Sequence, residues 1–462
     1  MNTSLIKSRY LFPPLAIYAF FVGLAIFILG AGSFTLVVIG TITSILFSAI
    51  LFTMPSLGIY IYLIVVAGLQ YFSIFQIGEQ DLHADLLLSF IFLLVGSLVI
   101  IWKNYPLIQT GLQRSLILML ILLIPSLLLS VSPFDSFKVW MRLFSYFILL
   151  TLITYMPGVT VTRRILWSIC LASLIPSLVG IYALVANDNR FFLAQISFYS
   201  QYRRVQSLMS HPNTLGTFLA IVLVIQISTW VLEKSRGKKI LLTCMILLSG
   251  IILFSTYSRN PQAIFIVAFS VLLFMLKGPR ISVIFLLLLV VVFTQIPSDF
   301  FRLTDILDPS QGNSLQWRIL LWEFALQKLP DVWLFGSGLG TFLSFVQFGT
   351  GFASHNMYVG FLIETGVLGF LGVIQFLIVV LIQSWKSYRA SYFAGNLKKF
   401  DRVISASVFA LTIGILVGGL AGSAINLPSA IIYFFAIVSL VNRISYKKTI
   451  TSEPPILSLK DA

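Results

Sequence analysis

Charged residues are scarce in this chain of 462 residues: they make up 10% of it, whereas 58% of it is hydrophobic. About a quarter of the residues in a typical soluble domain are charged, so this composition excludes an ordinary soluble fold. The mean hydropathy of +1.01 and the long apolar runs predict a chain that crosses a membrane many times. Because the runs are continuous and do not alternate, they predict helices and exclude a barrel. The expected fold class is an all-α polytopic membrane protein.

Metal-binding and redox residues are also few. The two cysteines, Cys170 and Cys244, lie in separate apolar runs without CxxC spacing, so neither a disulfide nor a zinc site is indicated. There are three histidines and no DxD motif. We therefore expect no metal and no cofactor.

The apolar runs predict about fourteen spans, and a total of twelve or thirteen is compatible with the sequence. The predicted spans are 15–31, 33–53, 58–77, 86–102, 115–131, 139–156, 165–185, 213–232, 240–257, 261–276, 281–297, 356–382, 402–424 and 428–442. They divide the chain into N-terminal transmembrane helices (1–186), an outer loop (187–212), further helices (213–297), a large outer loop (298–355), C-terminal helices (356–443) and a cytoplasmic tail (444–462).

Basic residues outnumber acidic ones by 30 to 15. In a soluble protein this excess would suggest nucleic acid, but in a membrane protein it follows from the enrichment of Lys and Arg in cytoplasmic loops. If the N-terminus is cytoplasmic, 21 of the 30 basic residues fall on the cytoplasmic side. This orientation places both termini in the cytoplasm, and no nucleic-acid partner is expected.

The large outer loop contains the sequence SLQWRILLWEFALQKL at 314–329, with apolar residues at helical spacing. Two interpretations are open. The segment is an amphipathic helix in the outer membrane interface, or it is a packed helix of a small outer cap.

Nine basic residues lie on the outer side, where the charge rule does not expect them. Six of the nine fall within 190–318, and all six are arginine. Arginine binds phosphate in a bidentate manner and keeps its charge when it is partly desolvated. The cluster therefore suggests a phosphate-bearing lipid headgroup, although each arginine could instead pair with an outer acid such as Asp188 or Glu323.

Arg259 is the arginine closest to the apolar runs, in a turn of a few residues between two spans. A charge so near hydrocarbon is usually functional or paired. Arg203 and Arg204 precede His211, which opens the next span. His211 is either a ligand contact or, more in keeping with its position, a partner of the backbone at the helix start.

His355 follows the large outer loop and precedes a long apolar run. A neutral imidazole can accept a proton from a hydroxyl group or position that hydroxyl. Asn356 can cap the following helix. Glu364, inside that helix, is expected to be paired or buried rather than catalytic. The glycine-rich run 336–342 lacks a strand–turn–helix context, so it indicates a tight turn and not a nucleotide site.

These motifs, taken together, resemble the O-antigen ligase/polymerase family of bacterial cell-envelope glycan assembly. His355-Asn356, nine residues and then G-x-x-G at 366–369 match that family's H-[N/S/Q]-x9-G-x-x-G pattern, with Phe370 where Thr or Val is usual. Ser258-Arg259 matches the start of its Ser-Arg-Gly motif, although Asn260 replaces the glycine. Further matches are Arg204 before Pro212-Asn213, and W-R-x3-W at 317–322. The resemblance covers roughly 200–370.

The resemblance implies an outer-leaflet glycosyltransferase with a metal-independent, inverting mechanism in the bacterial cytoplasmic membrane. The donor would be an undecaprenyl-diphosphate-linked glycan, and the acceptor a glycan or lipid-anchored hydroxyl. Arg204 and Arg259, with Arg203 beside them, would bind the diphosphate, and His355 would be catalytic. Arg318, Asn356 and His211 would support the acceptor or the loop. Membrane lipid and other envelope glycan assembly proteins are the expected partners.

Two other functions remain open. A transporter or flippase of lipid-linked glycan would place ionisable residues near the membrane midplane and show paired repeats, and neither is evident. A scaffold for an envelope complex would give no reason for the outer arginines. Within the transferase interpretation, the sequence does not separate a polymerase from a ligase.

Overall fold

The computed structural model describes residues 33–69, 73–77, 80–158, 160–186, 193–194, 204–209, 211–295, 314–347, 354–393, 399–422 and 428–452. Helices dominate these ranges. The described ranges also contain two short antiparallel strand pairs. Strand β1 (Ser73–Ile77) pairs with β2 (Gln80–His83), and β3 (Leu193–Ala194) pairs with β4 (Arg204–Val205).

The helices of the N-terminal part precede β3. They are α1 (Ser33–Thr53), α2 (Pro55–Val65, continued by a 3-10 turn, Val66–Leu69), α3 (Ala84–Trp102), α4 (Gly111–Leu122), α5 (Ile124–Leu128), α6 (Pro133–Tyr155), α7 (Val161–Ala172) and α8 (Leu174–Ala186).

The helices of the C-terminal part follow β4. They are α9 (Pro212–Leu232), α10 (Arg236–Ser255), α11 (Arg259–Lys277), α12 (Pro279–Gln295), α13 (Ser314–Gln327), α14 (Leu329–Val332), α15 (Phe342–Val346), α16 (Met357–Phe393), α17 (Lys399–Gly418) and α18 (Pro428–Ser452).

Ten helices in the described ranges are long and apolar enough to cross a membrane, counting α4–α5 and α7–α8 as single spans. Three more apolar helical stretches are shorter: 43–53 within α1, 55–69, and 279–289 within α12. Each predicted span from 33–53 onward coincides with a helix, which confirms the all-α polytopic fold. The first predicted span, 15–31, lies outside the described residues.

The predicted ends of several spans are wrong: α16 and α18 extend past 382 and 442 to Phe393 and Ser452, and α17 ends at Gly418, before 424. The span placed at 58–77 is helical only to Leu69, and Ser73–Ile77 forms strand β1 instead. The segment SIFQI is apolar enough to continue a span. Its branched and aromatic residues, however, also favour a strand, and the segment pairs with Gln80–His83.

The centre of the bundle is formed by α9 and α18. In the most apolar part of each helix, 78% and 83% of the residues are buried. By contrast, α10 is only 28% buried and lies at the periphery. Phe218 of α9 packs against Tyr433 of α18 with ring centroids 5.0 Å apart. Apolar side chains therefore face protein at the centre and are left exposed on the outer helices, as expected for a bundle surrounded by lipid.

The end of α6 is closed by a buried arginine. Arg443 of α18 donates hydrogen bonds to the carbonyl oxygens of Ile153, Met156 and Gly158. These carbonyls lie at and just beyond the helix C-terminus, where no intrahelical donor reaches them. Arg443, one of the 21 basic residues predicted to lie on the cytoplasmic side, thus stabilises the end of a helix, which the charge count does not reveal.

Helix α16 is broken at Gly366, which has φ +61° and ψ −174°. The break frees backbone groups of the helix, and the loop 333–342 satisfies them. The carbonyls of Ile363 and Glu364 accept the N–H groups of Ser337 and Gly338, each at 2.9 Å, and the N–H groups of Val367 and Leu368 donate to the carbonyls of Trp333 and Leu334, at 2.8 and 3.3 Å. The broken helix and the loop therefore form one hydrogen-bonded unit.

The loop itself turns at three glycines with positive φ, which are Gly336, Gly338 and Gly340. This confirms the prediction of tight turns at 336–342. Glu364 is buried at the break, and its Oε1 accepts the N–H of Phe342 at 3.3 Å. Glu364 thus binds the loop, and its burial agrees with one of the two expectations for this residue.

We expect Gly366→Ala to destabilise the protein by at least about 2 kcal/mol. The positive φ disfavours any side chain, and an added Cβ would overlap the backbone of Leu334. Thermal unfolding in detergent would measure the effect. Gly250→Ala is the matched control because an added Cβ there meets nothing within 4 Å. Equal stability of the two variants would contradict the role assigned to the break.

The helix predicted at 314–329 is present as α13. Leu321 and Ala325 are fully buried in a small cluster with Phe342 and Ile363, which supports the interpretation as a packed cap helix. Other apolar residues of α13 are exposed, among them Ile319 (43%) and Leu326 (44%). Since α13 is apolar on several sides, its periodicity does not identify the side that packs.

Candidate active site at the start of helix α16

His355 lies in a turn that is hydrogen-bonded on both sides. Before it, the carbonyl of Ser354 accepts the Nε1–H of Trp322 at 2.7 Å. After it, Asn356 Oδ1 accepts the N–H groups of Tyr358 and Val359 at 2.9 and 3.1 Å. Asn356 is therefore the N-cap of α16, as its position before the apolar run predicted.

The backbone of His355 is left-handed, with φ +47°. This conformation costs a non-glycine residue about 1 kcal/mol and persists where neighbouring contacts enforce it. Trp322 on one side and the Asn356 cap on the other supply these contacts. The position of His355 is thus fixed by its two neighbours in the chain.

The imidazole of His355 is partly buried and packs edge-on against Trp317, with ring centroids 6.0 Å apart. Desolvation, followed by the positive charge of Arg318, electrostatic coupling to His211 and the positive charge of Arg204, lowers the pKa of His355 to about 4. The imidazole is therefore neutral at physiological pH, so it can accept a proton from a hydroxyl group.

Arg204 joins three segments of the chain. Its Nε donates to the carbonyl of Thr256 at 3.0 Å, and its Nη2 donates to Asn213 Oδ1 and to Ser258 Oγ, each at 2.8 Å. Ser258 Oγ also donates to Asn213 Oδ1 at 2.9 Å. These acceptors are neutral oxygens, and the bonds orient the guanidinium plane.

His211 caps helix α9. Its Nδ1 accepts the N–H of Asn213 at 3.0 Å, and because a backbone N–H can only donate, Nδ1 carries no proton. Desolvation and the charge of Arg204 lower the pKa of His211 to about 4. The expectation that this histidine pairs with backbone at a helix start is confirmed.

Arg259 is the first residue of α11, directly after Ser258. The turn from Ser255 to Arg259 is as short as the sequence predicts. Pro261, in the first turn of α11, packs closely on α9, because a Cβ added at Gly216 would lie 2.8 Å from it. Arg259 thus begins its helix beside the hydrogen-bond network of Arg204.

The structure brings together most of the predicted site residues. Arg204, Arg318 and His211 all act electrostatically on His355, and Arg259 adjoins an acceptor of Arg204. Arg203 lies outside the described residues. Among the residues that are described, no group of three or more His, Cys, Asp or Glu side chains could hold a metal ion. The arrangement is a partly buried histidine within the electrostatic reach of Arg318 and Arg204, with Arg259 next in the chain to an acceptor of Arg204.

Two structural features of the site were not predicted. The sequence motif W-R-x3-W does not show that Trp317 packs on His355 while Trp322 holds Ser354. Gly414, Gly418 and Gly422, which are spaced four residues apart, predict close helix packing. They do not predict that the end of α17 contacts the His355 turn. There, the N–H of Met357 donates to the carbonyl of Gly419 at 2.8 Å.

Comparison with known proteins gives one family match. Residues 244–374 match the family model described as O-antigen ligase. A search of curated proteins finds no match to the chain. The matched residues include Arg259, Arg318 and His355, whereas Arg204 and His211 precede them.

Proposed function

Through residues 244–374 this chain belongs to the O-antigen ligase/polymerase family, and from this premise we propose that it moves a glycan from an undecaprenyl-diphosphate carrier to an acceptor hydroxyl. The observation that carries the proposal is the position of His355, held between Trp322 and the Asn356 cap and within the electrostatic reach of Arg318 and Arg204. A base and a set of fixed cations are the two elements that such a transfer requires.

In the proposed reaction, the acceptor oxygen attacks the anomeric carbon of the donor sugar. The bond between that carbon and the diphosphate oxygen breaks, and undecaprenyl diphosphate leaves with the bonding electrons. Attack opposite the leaving group inverts the anomeric centre. The proton of the acceptor hydroxyl passes to His355, and the negative charge that develops on the diphosphate is stabilised by arginine.

Arg259 and Arg204 are proposed to bind the diphosphate, with Arg203 near them in the sequence. Arginines at fixed positions stabilise a phosphate leaving group electrostatically, so this mechanism requires no metal. Arg318 is proposed to support the acceptor side, because it acts on His355 from the cap helix α13. The distribution of basic residues supports an outer-leaflet site with both termini cytoplasmic.

The test uses the purified chain in lipid vesicles together with lipid-linked glycan extracted from the organism that encodes it. We expect formation of a glycosidic bond and release of undecaprenyl diphosphate. Movement of the lipid-linked glycan across the bilayer without bond formation would instead identify a flippase. In a deletion strain, surface glycans of a single repeat would indicate a polymerase, and long unattached chains would indicate a ligase.

We expect the acidic limb of the pH profile of transfer to lie near pH 4. The pKa of His355 is lowered to about 4, so neutral imidazole persists well below the usual histidine pKa of about 6.5 and activity falls only below this range. Arg318→Gln removes a positive charge that lowers the pKa of His355, so the pKa should rise and the acidic limb should move to higher pH. This shift is expected even if the variant is slower overall. The pH dependence of kcat/KM measures both positions. A wild-type limb near 6.5 would contradict the assigned environment.

A further inference from the structure

The segment from Gly418 to Gly422, at the end of α17, contacts two parts of the candidate site. On one side it meets the turn that carries His355, and on the other it meets Asn260, the neighbour of Arg259. The segment contains glycine at positions 418, 419 and 422. Glycines at a helix interface allow close approach of the neighbouring segment.

The contact with the His355 turn is made through backbone carbonyls. Gly419 accepts the N–H of Met357 at 2.8 Å, and Leu420 accepts Nδ2–H of Asn356 at 3.2 Å. In addition, the carbonyl of Leu416 accepts the hydroxyl of Tyr358 at 2.7 Å. Three consecutive residues after His355 are thus hydrogen-bonded to the end of α17.

The contact with Asn260 is steric. A Cβ added at Gly422 would overlap Asn260 Nδ2 and lie 2.7 Å from its Cγ, and a Cβ added at Gly418 would lie 2.8 Å from its Oδ1. Oδ1 is buried and, within the described part of the chain, accepts no hydrogen bond. The close fit against these two glycines therefore fixes the side chain and the start of α11.

We propose that the end of α17 is a positioning element that sets the distance between Arg259 and His355, with Asn260 and Gly422 as its matched pair. This inference rests on the proposed function, because it assigns Arg259 to the leaving diphosphate and His355 to the acceptor. A single short segment then fixes both groups relative to the sugar carbon between them. Misplacement of a reacting group by about 1 Å can cost a factor of roughly 100 in rate.

The two sides of the element are expected to have separable effects. Gly422→Ala pushes on Asn260, so it should weaken binding of undecaprenyl diphosphate by about tenfold. Gly419→Ala introduces a Cβ 3.2 Å from Met357 Cβ, so it should lower turnover while binding of undecaprenyl diphosphate stays within about twofold. The double variant Gly422→Ala/Asn260→Ala removes the overlapping atoms and should restore binding.

Gly414→Ala is the matched control. It lies on the same face of α17, but the atoms nearest to an added Cβ belong to Ile264 and Ala268, more than one turn into α11, and not to Asn260 or the His355 turn; the closest is the Ile264 carbonyl oxygen at 2.7 Å. This variant should lower thermal stability without a specific change in binding or turnover. Asn260→Gln lengthens the side chain that packs on Gly422 and so crowds the same contact from the other side. It serves as the test variant if Gly422→Ala fails to fold.

Three outcomes would overturn the inference while the wild type remains active. They are unchanged diphosphate binding in a folded Gly422→Ala or Asn260→Gln, equal losses in Gly414→Ala and Gly422→Ala, and failure of the double variant to restore binding. Absence of transfer in the wild type would overturn the proposed function instead. The two failures are therefore distinguishable in one set of measurements.

Discussion

His355→Ala is expected to lower the rate of glycan transfer by a factor of about 10² to 10⁴, which is the usual contribution of a positioned acid–base group. The residue is the neutral imidazole at the start of α16, held by Trp322 on one side and by the Asn356 cap on the other. The initial rate of undecaprenyl diphosphate release, measured with donor and acceptor both saturating, would report the loss.

Two further variants separate the possible roles of this side chain. His355→Gln retains a hydrogen-bond acceptor but cannot take up the proton, so a base predicts a loss close to that of His355→Ala, whereas a positioning group predicts a smaller one. His211→Asn is the matched control, because asparagine also caps helices and His211 serves as the cap of α9. Near-normal transfer by a folded His355→Ala protein would remove His355 from the mechanism.

Arg259→Ala is expected to reduce transfer by a factor of about 10² to 10³, the loss typical of removing one group that stabilises developing negative charge. Arg259→Lys should recover only part of this, since lysine keeps the charge but lacks the planar, bidentate donor geometry of arginine. Because Arg259 begins α11 beside the Arg204 network, its loss should affect donor binding as well as turnover.

Arg259 is a better test than Arg204. Removing Arg204 would also break hydrogen bonds to Thr256, Asn213 and Ser258, so a loss of activity could come from misfolding of the turn. Arg280→Ala removes an exposed arginine at the start of α12 and controls for the change in net charge. Arg259→Ala with donor binding and turnover equal to those of Arg280→Ala would exclude Arg259 from the diphosphate site.

Several features of this protein could be predicted from sequence because their cause is local. Lipid accepts few elements other than continuous apolar helices, so the length of each apolar run determines a helix wherever it occurs. Asn356 and His211 precede apolar runs, and a polar side chain at that position can satisfy the free N–H groups of the first turn. The order of the motifs around Arg204, Arg259 and His355 likewise depends only on the chain.

Other features depend on contacts between segments distant in sequence, and only the tertiary structure decided them. Gly366 breaks α16 because the loop 333–342 supplies hydrogen bonds to the freed backbone, and helix periodicity contains no sign of this. The face on which α13 packs is set by Phe342 and Ile363, because the helix itself is apolar on several sides. The pKa of His355 is depressed first by burial of the imidazole and then by Arg318 and Arg204, and both causes depend on segments distant in sequence.

The stretch before and after His355 shows the same division. Its residues and their spacing determine a capped helix, since capping acts within a few positions along the chain. The contact of the His355 turn with the end of α17, about 60 residues later, is different, because glycines there lie against both Met357 and Asn260. Close approach between two segments depends on the residues of both, so it cannot be predicted from either stretch of sequence alone.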